Sequence, residues 1–125
     1  MKKIILTDNA PKPIGPYSQA IAIDKTVYLS GQIPIDPETG VLVHENIAKQ
    51  IHQVFLNLQA VCEEAGANLN DVVKLTIYLI DLNDFSTLNE ILSQFFKAPY
   101  PARTTIQVSA LPKGARVEID AILIQ

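Results

Sequence analysis

The chain has 125 residues, 48% apolar and 18% charged, with a net charge of −3. That balance lacks the basic footprint of a nucleic-acid binder, and a single cysteine, Cys62, excludes an intrachain disulfide. The first apolar run ends at Leu6, too short for a signal peptide, and no apolar stretch approaches the roughly 20 residues of a membrane span. The expectation is one cytoplasmic domain over residues 1–125. Its scarcity of surface charge points to subunit contacts.

The segment Ala10-Pro11-Lys12-Pro13-Ile14-Gly15-Pro16-Tyr17 holds three of the eight prolines. Proline fixes φ and restricts its predecessor, so a stiff extended loop carries Tyr17. Strands are predicted at about 19–23 and 26–30, joined by the tight Asp24-Lys25 turn, and Asp36-Pro37-Glu38-Thr39-Gly40 reads as a further turn. Ile47, Ile51, Val54, Phe55, Leu58, Val61, Cys62 and Ala65 then recur at steps of three and four, one stripe of an amphipathic helix. Asn46 or a neighbour is its cap and Gly66 its stop. A strand is predicted over 72–80, then a second helix capped by Asp84 with the stripe Leu88, Ile91, Leu92, Phe95 and Phe96, which Pro99 and Pro101 end.

Two strands close the chain. Alternation places Arg103, Thr105 and Gln107 on one face of the first, and Glu118 with Asp120 on one face of the second. The order ββαβαββ with right-handed crossovers predicts an α+β fold, both helices on one sheet face. The other face is left uncovered, with Tyr28, Ser30, Tyr78, Ile80, Arg103, Thr105, Glu118, Ile122 and Ile124 as its expected members. A bare apolar patch of that size predicts a homo-oligomer closed over it.

Arg103 suits a small organic acid, because a guanidinium grips a carboxylate with two parallel hydrogen bonds. Glu118 beside a water suits a general base. Tyr17 and Ser30 are placed to orient a substrate, and Gly31 allows close backbone approach. Read alone, Arg103 and Glu118 serve equally as an ion pair tying two strands, Tyr17 as a packed loop aromatic, Ser30-Gly31 as an ordinary strand end and Asn89 as a solvated or capping residue. His44 and His52 have no third partner for a metal, Cys62 reads as core, and there is no phosphate loop or dinucleotide fingerprint. Chemistry on a small molecule without a cofactor remains.

The chain resembles the reactive-intermediate deaminase family, also called the YjgF/YER057c/UK114 family, from end to end. The resemblance rests on Asn9-Ala10-Pro11 followed by Ile14-Gly15-Pro16-Tyr17, on Ser30-Gly31-Gln32-Ile33-Pro34, on Asp81-Leu82-Asn83-Asp84-Phe85, and on Pro101-Ala102-Arg103 with Val117-Glu118-Ile119. It implies a chorismate-mutase-like fold, a mixed sheet with two helices on one face and the last strand inside the sheet. It implies a homotrimer forming a central barrel, with clefts between subunits, and hydrolysis of 2-imino acids such as 2-iminobutanoate and 2-iminopropanoate to 2-oxo acids and ammonia. No cofactor, metal, nucleic acid or membrane is implied. By the same resemblance Arg103 holds the substrate carboxylate and Glu118 activates water. Tyr17, Ser30 and Gly31 line the cleft from the adjoining subunit, with Asn89 and Thr105 as further substrate-binding positions. Thr105 departs from the cysteine of many relatives, and Lys97-Ala98-Pro99-Tyr100 is shorter than in some. The alternative is a regulatory trimer that binds small carboxylates without turnover.

Overall fold

A computed structural model describes every residue, Met1–Gln125. Its elements are β1 (Lys3–Ile5), β2 (Ala20–Ile23), β3 (Thr26–Gln32), α1 (Ile47–Glu64), β4 (Val72–Leu79), α2 (Phe85–Phe95), β5 (Ala102–Gln107) and β6 (Val117–Ile124). The six strands form one sheet in the order β1-β2-β3-β6-β4-β5. Only β4 and β5 run parallel; every other neighbouring pair is antiparallel. The fold is therefore α+β, a mixed sheet with two helices. The last strand sits between β3 and β4, inside the sheet. Strand β1 has no counterpart in the five predicted strands, because three residues are too few to display a period.

Both helices form where the apolar stripes lie. The Asn46 side chain accepts from Lys49 N at 2.8 Å and opens α1, and Gly66, at φ +82°, ends it in the left-handed region that glycine adopts without strain. Ile51, Val54, Phe55, Leu58, Val61 and Cys62 of α1 are completely buried. They meet Val27, Leu75, Ile77, Leu79, Val117, Ile119 and Leu123 of the sheet, together with Leu88, Ile91 and Leu92 of α2, in one continuous core. Each such aliphatic or aromatic side chain contributes about 1.5–3 kcal/mol on burial.

The start of α2 differs from expectation. Asp84 stands at the cap position but makes no capping hydrogen bond. Its carboxylate instead takes Arg116 Nη2 at 3.2 and 3.0 Å, a charge-assisted contact stronger than a bond to a neutral amide. Asp81 does the local work, accepting from Asn83 N at 2.9 Å at the head of the short 3₁₀ turn Leu82–Asp84.

The last two strands also depart from expectation. Arg103 lies opposite Leu75 and Thr105 opposite Ile77, whereas Thr104 and Ile106 lie opposite Thr76 and Tyr78. Paired residues share a sheet face, so Arg103 and Thr105 are on the helix side rather than the uncovered one. Alternation says which residues of a strand go together; only the register with its neighbour says which face they take. Tyr28, Tyr78, Glu118 and Ile122 do share the uncovered face, with Asp120 and Thr76.

The proline-bearing loop is held by one buried side chain. Gln19, 1% exposed, accepts from Thr7 N at 2.7 Å and donates to Thr7 O at 3.0 Å, Ala10 O at 3.3 Å and Pro11 O at 2.9 Å. Replacing it strands several buried backbone groups at once. Gln19→Leu is expected to lower stability by about 2–3 kcal/mol, read by urea denaturation; an unchanged midpoint would show that the loop finds other partners.

Candidate functional site

The sequence-predicted residues fall into two groups on opposite faces of the sheet. The first is built around a bulge between β3 and β6. Leu29 pairs with Ala121 and Gln32 with Ile119, so Ser30 and Gly31 together oppose Asp120 alone. A bulge of this kind bends the strand and re-aims its residues. Ser30 is anchored twice, its N donating to Gln19 O at 2.9 Å and its Oγ to Ser18 O at 2.6 Å. At Gly31 the Glu118 carboxylate lies directly against the α-carbon: a β-carbon there would fall 2.9 Å from Glu118 Cδ and closer still to Oε2. Any larger residue at this position must displace the Glu118 carboxylate, the flexible end of its side chain.

Glu118 is partly buried. Desolvation, reinforced by the charge of Asp120, raises its pKa above the ordinary glutamate value. Tyr17 stands on the proline-bearing loop. It shares a cleft of about 310 Å³ with Gln32 and Ile33, the residues that follow Gly31, and its hydroxyl accepts from Ile14 N at 3.3 Å. Ser30, Gly31 and Glu118 thus stand together at the bulge, and Tyr17 lines a cleft that those three do not border.

The second group surrounds Arg103. Its Nη1 donates to Asn89 Oδ1 at 2.6 Å, and its guanidinium carbon lies 5.0 Å from the centre of the Phe85 ring. Both partners come from α2, which fixes the guanidinium from two directions. A cleft of about 390 Å³ opens beside it, walled by Leu75, Leu92, Tyr100 and Pro101. Thr105, two residues on and on the same face, holds a buried Oγ1 with no hydrogen-bond partner. Phe85 is a residue that pattern reading missed, since an apolar residue at the start of a helix carries no sign of the cation above it.

Within one chain Arg103 and Glu118 do not meet. The ion pairs are Arg116–Asp84 and Lys12–Asp8, so the strand-tying pair between Arg103 and Glu118 does not form. Two strand spacings, roughly 10 Å, separate β5 from β6, and the two side chains leave opposite faces. No three His, Cys, Asp or Glu side chains gather to hold a metal ion. His52 packs its ring edge-on against Phe95 at 5.2 Å.

Residues 7–125 match the family described as endoribonuclease L-PSP, and the chain belongs to that family. A RutC family protein of Pyrococcus abyssi is 54% identical over 97% of this chain and 95% of its own length. The human 2-iminobutanoate/2-iminopropanoate deaminase is 48% identical over all of this chain and 91% of its own. Among solved structures, Escherichia coli TdcF with bound serine superposes with a TM-score of 0.94 at 40% identity, covering 98% of each chain.

Two outcomes follow from the Glu118–Gly31 contact. Gly31→Ala must push the carboxylate away; the Glu118 pKa is expected to fall toward the ordinary glutamate value, read by carbon-13 NMR titration, while the thermal midpoint stays near that of wild type. The raised pKa also fixes a sign. Folding favours protonated Glu118, so its contribution to stability is fully present below the unfolded-state pKa and is lost as pH rises through the higher folded value. Glu118→Gln is therefore expected to raise the thermal midpoint at pH 7.5 and to give no gain near pH 3.5, compared by scanning calorimetry. Equal effects at both pH values would contradict the assignment.

Proposed function

We propose that residues 1–125 form one reactive-intermediate deaminase domain that hydrolyses 2-imino acids, the tautomers of enamines, to 2-oxo acids and ammonia. The observation that carries the proposal is the half-buried Glu118 carboxylate seated on Gly31, held as a carboxylate only at a desolvation cost. A charge kept at such a cost marks a functional site, and the full-length human relative bears the name of this activity.

The working site is composite. Since Arg103 and Glu118 occupy opposite faces of one sheet, neighbouring copies must supply one each. The geometry supports such an assembly: β5 is an edge strand, its residues exposed except Thr105, and the uncovered face bears exposed Tyr28, Ile106 and Ile124. An open edge beside an apolar face favours pairing with another chain. We take the assembly to be a homotrimer with a chorismate-mutase-like barrel, working in the cytoplasm, as the family resemblance implies.

In the proposed reaction Arg103, preset by Asn89 and Phe85, binds the substrate carboxylate. Tyr17, Ser30, Gly31 and Asn89 border the bound acid, with Thr105 beside Arg103. Glu118 takes a proton from water as its oxygen attacks C2. The C=N double bond becomes single, and nitrogen is protonated. Glu118 then returns its proton to the amino nitrogen, the adduct's hydroxyl loses its own to solvent, and collapse expels ammonia and leaves the C2 carbonyl. Imines hydrolyse readily, so one anchor and one base suffice.

A second reading, a trimer that binds small carboxylates without turnover, draws support from the serine bound to the E. coli relative. The ribonuclease reading in the family description is weaker for this chain: the net charge is −3, and one of its two histidines is spent packing on Phe95.

The test generates 2-iminobutanoate in place with a dehydratase and measures 2-oxobutanoate release above background. Arg103→Ala is expected to raise KM and cost about 2–5 kcal/mol in kcat/KM. Glu118→Gln is expected to lower kcat about 10²–10⁴-fold with KM little changed. Tight, Arg103-dependent ligand binding with no release above background would favour the regulatory reading, and full kcat in Glu118→Gln would remove the base.

A further inference from the structure

Glu118 has company on the uncovered face. Asp120 follows it two residues along β6 and shares its face, and Tyr78 of β4 lies directly across from Glu118. The Tyr78 hydroxyl donates to Asp120 Oδ2 at 3.0 Å, a diagonal contact. That bond, ahead of burial and charge, raises the Tyr78 pKa above the ordinary phenol value and keeps the hydroxyl a donor. Thr76, across from Asp120, is neutral. Arg116, two residues before Glu118, is turned to Asp84 at 3.0 Å, and Tyr28 and Lys74 both lie opposite Ile122, farther along the sheet. The Lys74 ammonium is engaged with Thr104 Oγ1 at 2.9 Å. On the β3 side Glu118 meets Gly31, which has no side chain. Asp120 is thus the nearest charged neighbour on Glu118's face, and Tyr78 holds it.

We propose that Asp120 and Tyr78 are positioning residues for Glu118: the Tyr78 hydroxyl fixes the Asp120 carboxylate beside it, and the Asp120 charge strengthens Glu118 as a base. The proposal rests on the reading of Glu118 as the general base. Two carboxylates on one face repel, so the more desolvated one holds a proton more tightly. A base is most effective when its proton affinity approaches the working pH, and burial with Asp120 moves Glu118 in that direction. The Tyr78 hydroxyl takes up part of the charge on Asp120. It therefore limits the effect as well as fixing the geometry.

The two positioning residues can be told apart from structural ones by opposite shifts. The experiment follows the Glu118 side-chain carboxyl by carbon-13 NMR titration, and the pH profile of kcat/KM with 2-iminobutanoate, in wild type, Asp120→Asn and Tyr78→Phe. Asp120→Asn is expected to lower the Glu118 midpoint, move the acid limb of kcat/KM to lower pH and reduce the plateau about 3- to 10-fold. Tyr78→Phe, which removes only a hydroxyl, is expected to move midpoint and limb to higher pH. An unmoved midpoint in Asp120→Asn, or shifts of the same sign in both variants, overturns the proposal while leaving Glu118 as base. A midpoint that moves while the acid limb stays fixed, or full kcat in Glu118→Gln, overturns the base itself and the proposal with it.

Discussion

A glutamate carboxylate resting on the α-carbon of a glycine is the constraint on which the rest of this structure depends. It exists because β3 carries one residue more than β6 at Ser30-Gly31, and because the extra residue has no side chain. Had the strands paired evenly, Glu118 would stand in an ordinary cross-strand row on an open face. The bulge makes a seat for it and removes part of its water, beside Asp120 of the same strand. The loop network works to the same end. Gln19 ties down the turn before β2 and, through its carbonyl, holds Ser30 N at 2.9 Å, so the strand cannot slide out of the bulge without breaking buried hydrogen bonds.

Arg103 answers a different requirement. A guanidinium on an edge strand would ordinarily wander in solvent, where side-chain entropy erodes whatever it binds. Here Asn89 and Phe85 hold it from α2, so little ordering remains when a carboxylate arrives. The two halves of the proposed site are each preorganised, yet they face away from one another. The proposed division of anchor and base between chains would make assembly a condition of activity and give the exposed β5 edge and the apolar uncovered face a common purpose.

Much of this was legible in the residues. The helices were, because apolar stripes at steps of three and four, eight positions long in α1, have one interpretation, and the two ends of α1 were marked by Asn46 and Gly66. The motifs around Tyr17, Ser30, Arg103 and Glu118 carried the family. Register and long-range polar contacts were not legible. Alternation grouped Arg103 with Thr105 but could not say that β5 pairs with β4 at Leu75 and Ile77, and that pairing alone decides the face. Asp84 looked like a cap because its partner, Arg116, is 32 residues away. Asn57 is buried inside α1 only because Ile33 O and Ile35 O, more than 20 residues earlier, accept from it at 3.3 and 3.0 Å. Strand β1 was too short to show any pattern.

The central claim is that one chain lends the arginine and its neighbour the glutamate. Arg103→Ala and Glu118→Gln chains, each strongly impaired alone, can be denatured together in equal amounts, refolded and assayed for ketoacid release at a substrate concentration well below KM. If each site draws on two chains, random mixing pairs an intact arginine with an intact glutamate at roughly a quarter of the sites, and about that fraction of wild-type activity returns. A refolded mixture no more active than its parents, although shown to contain mixed oligomers, would contradict the account.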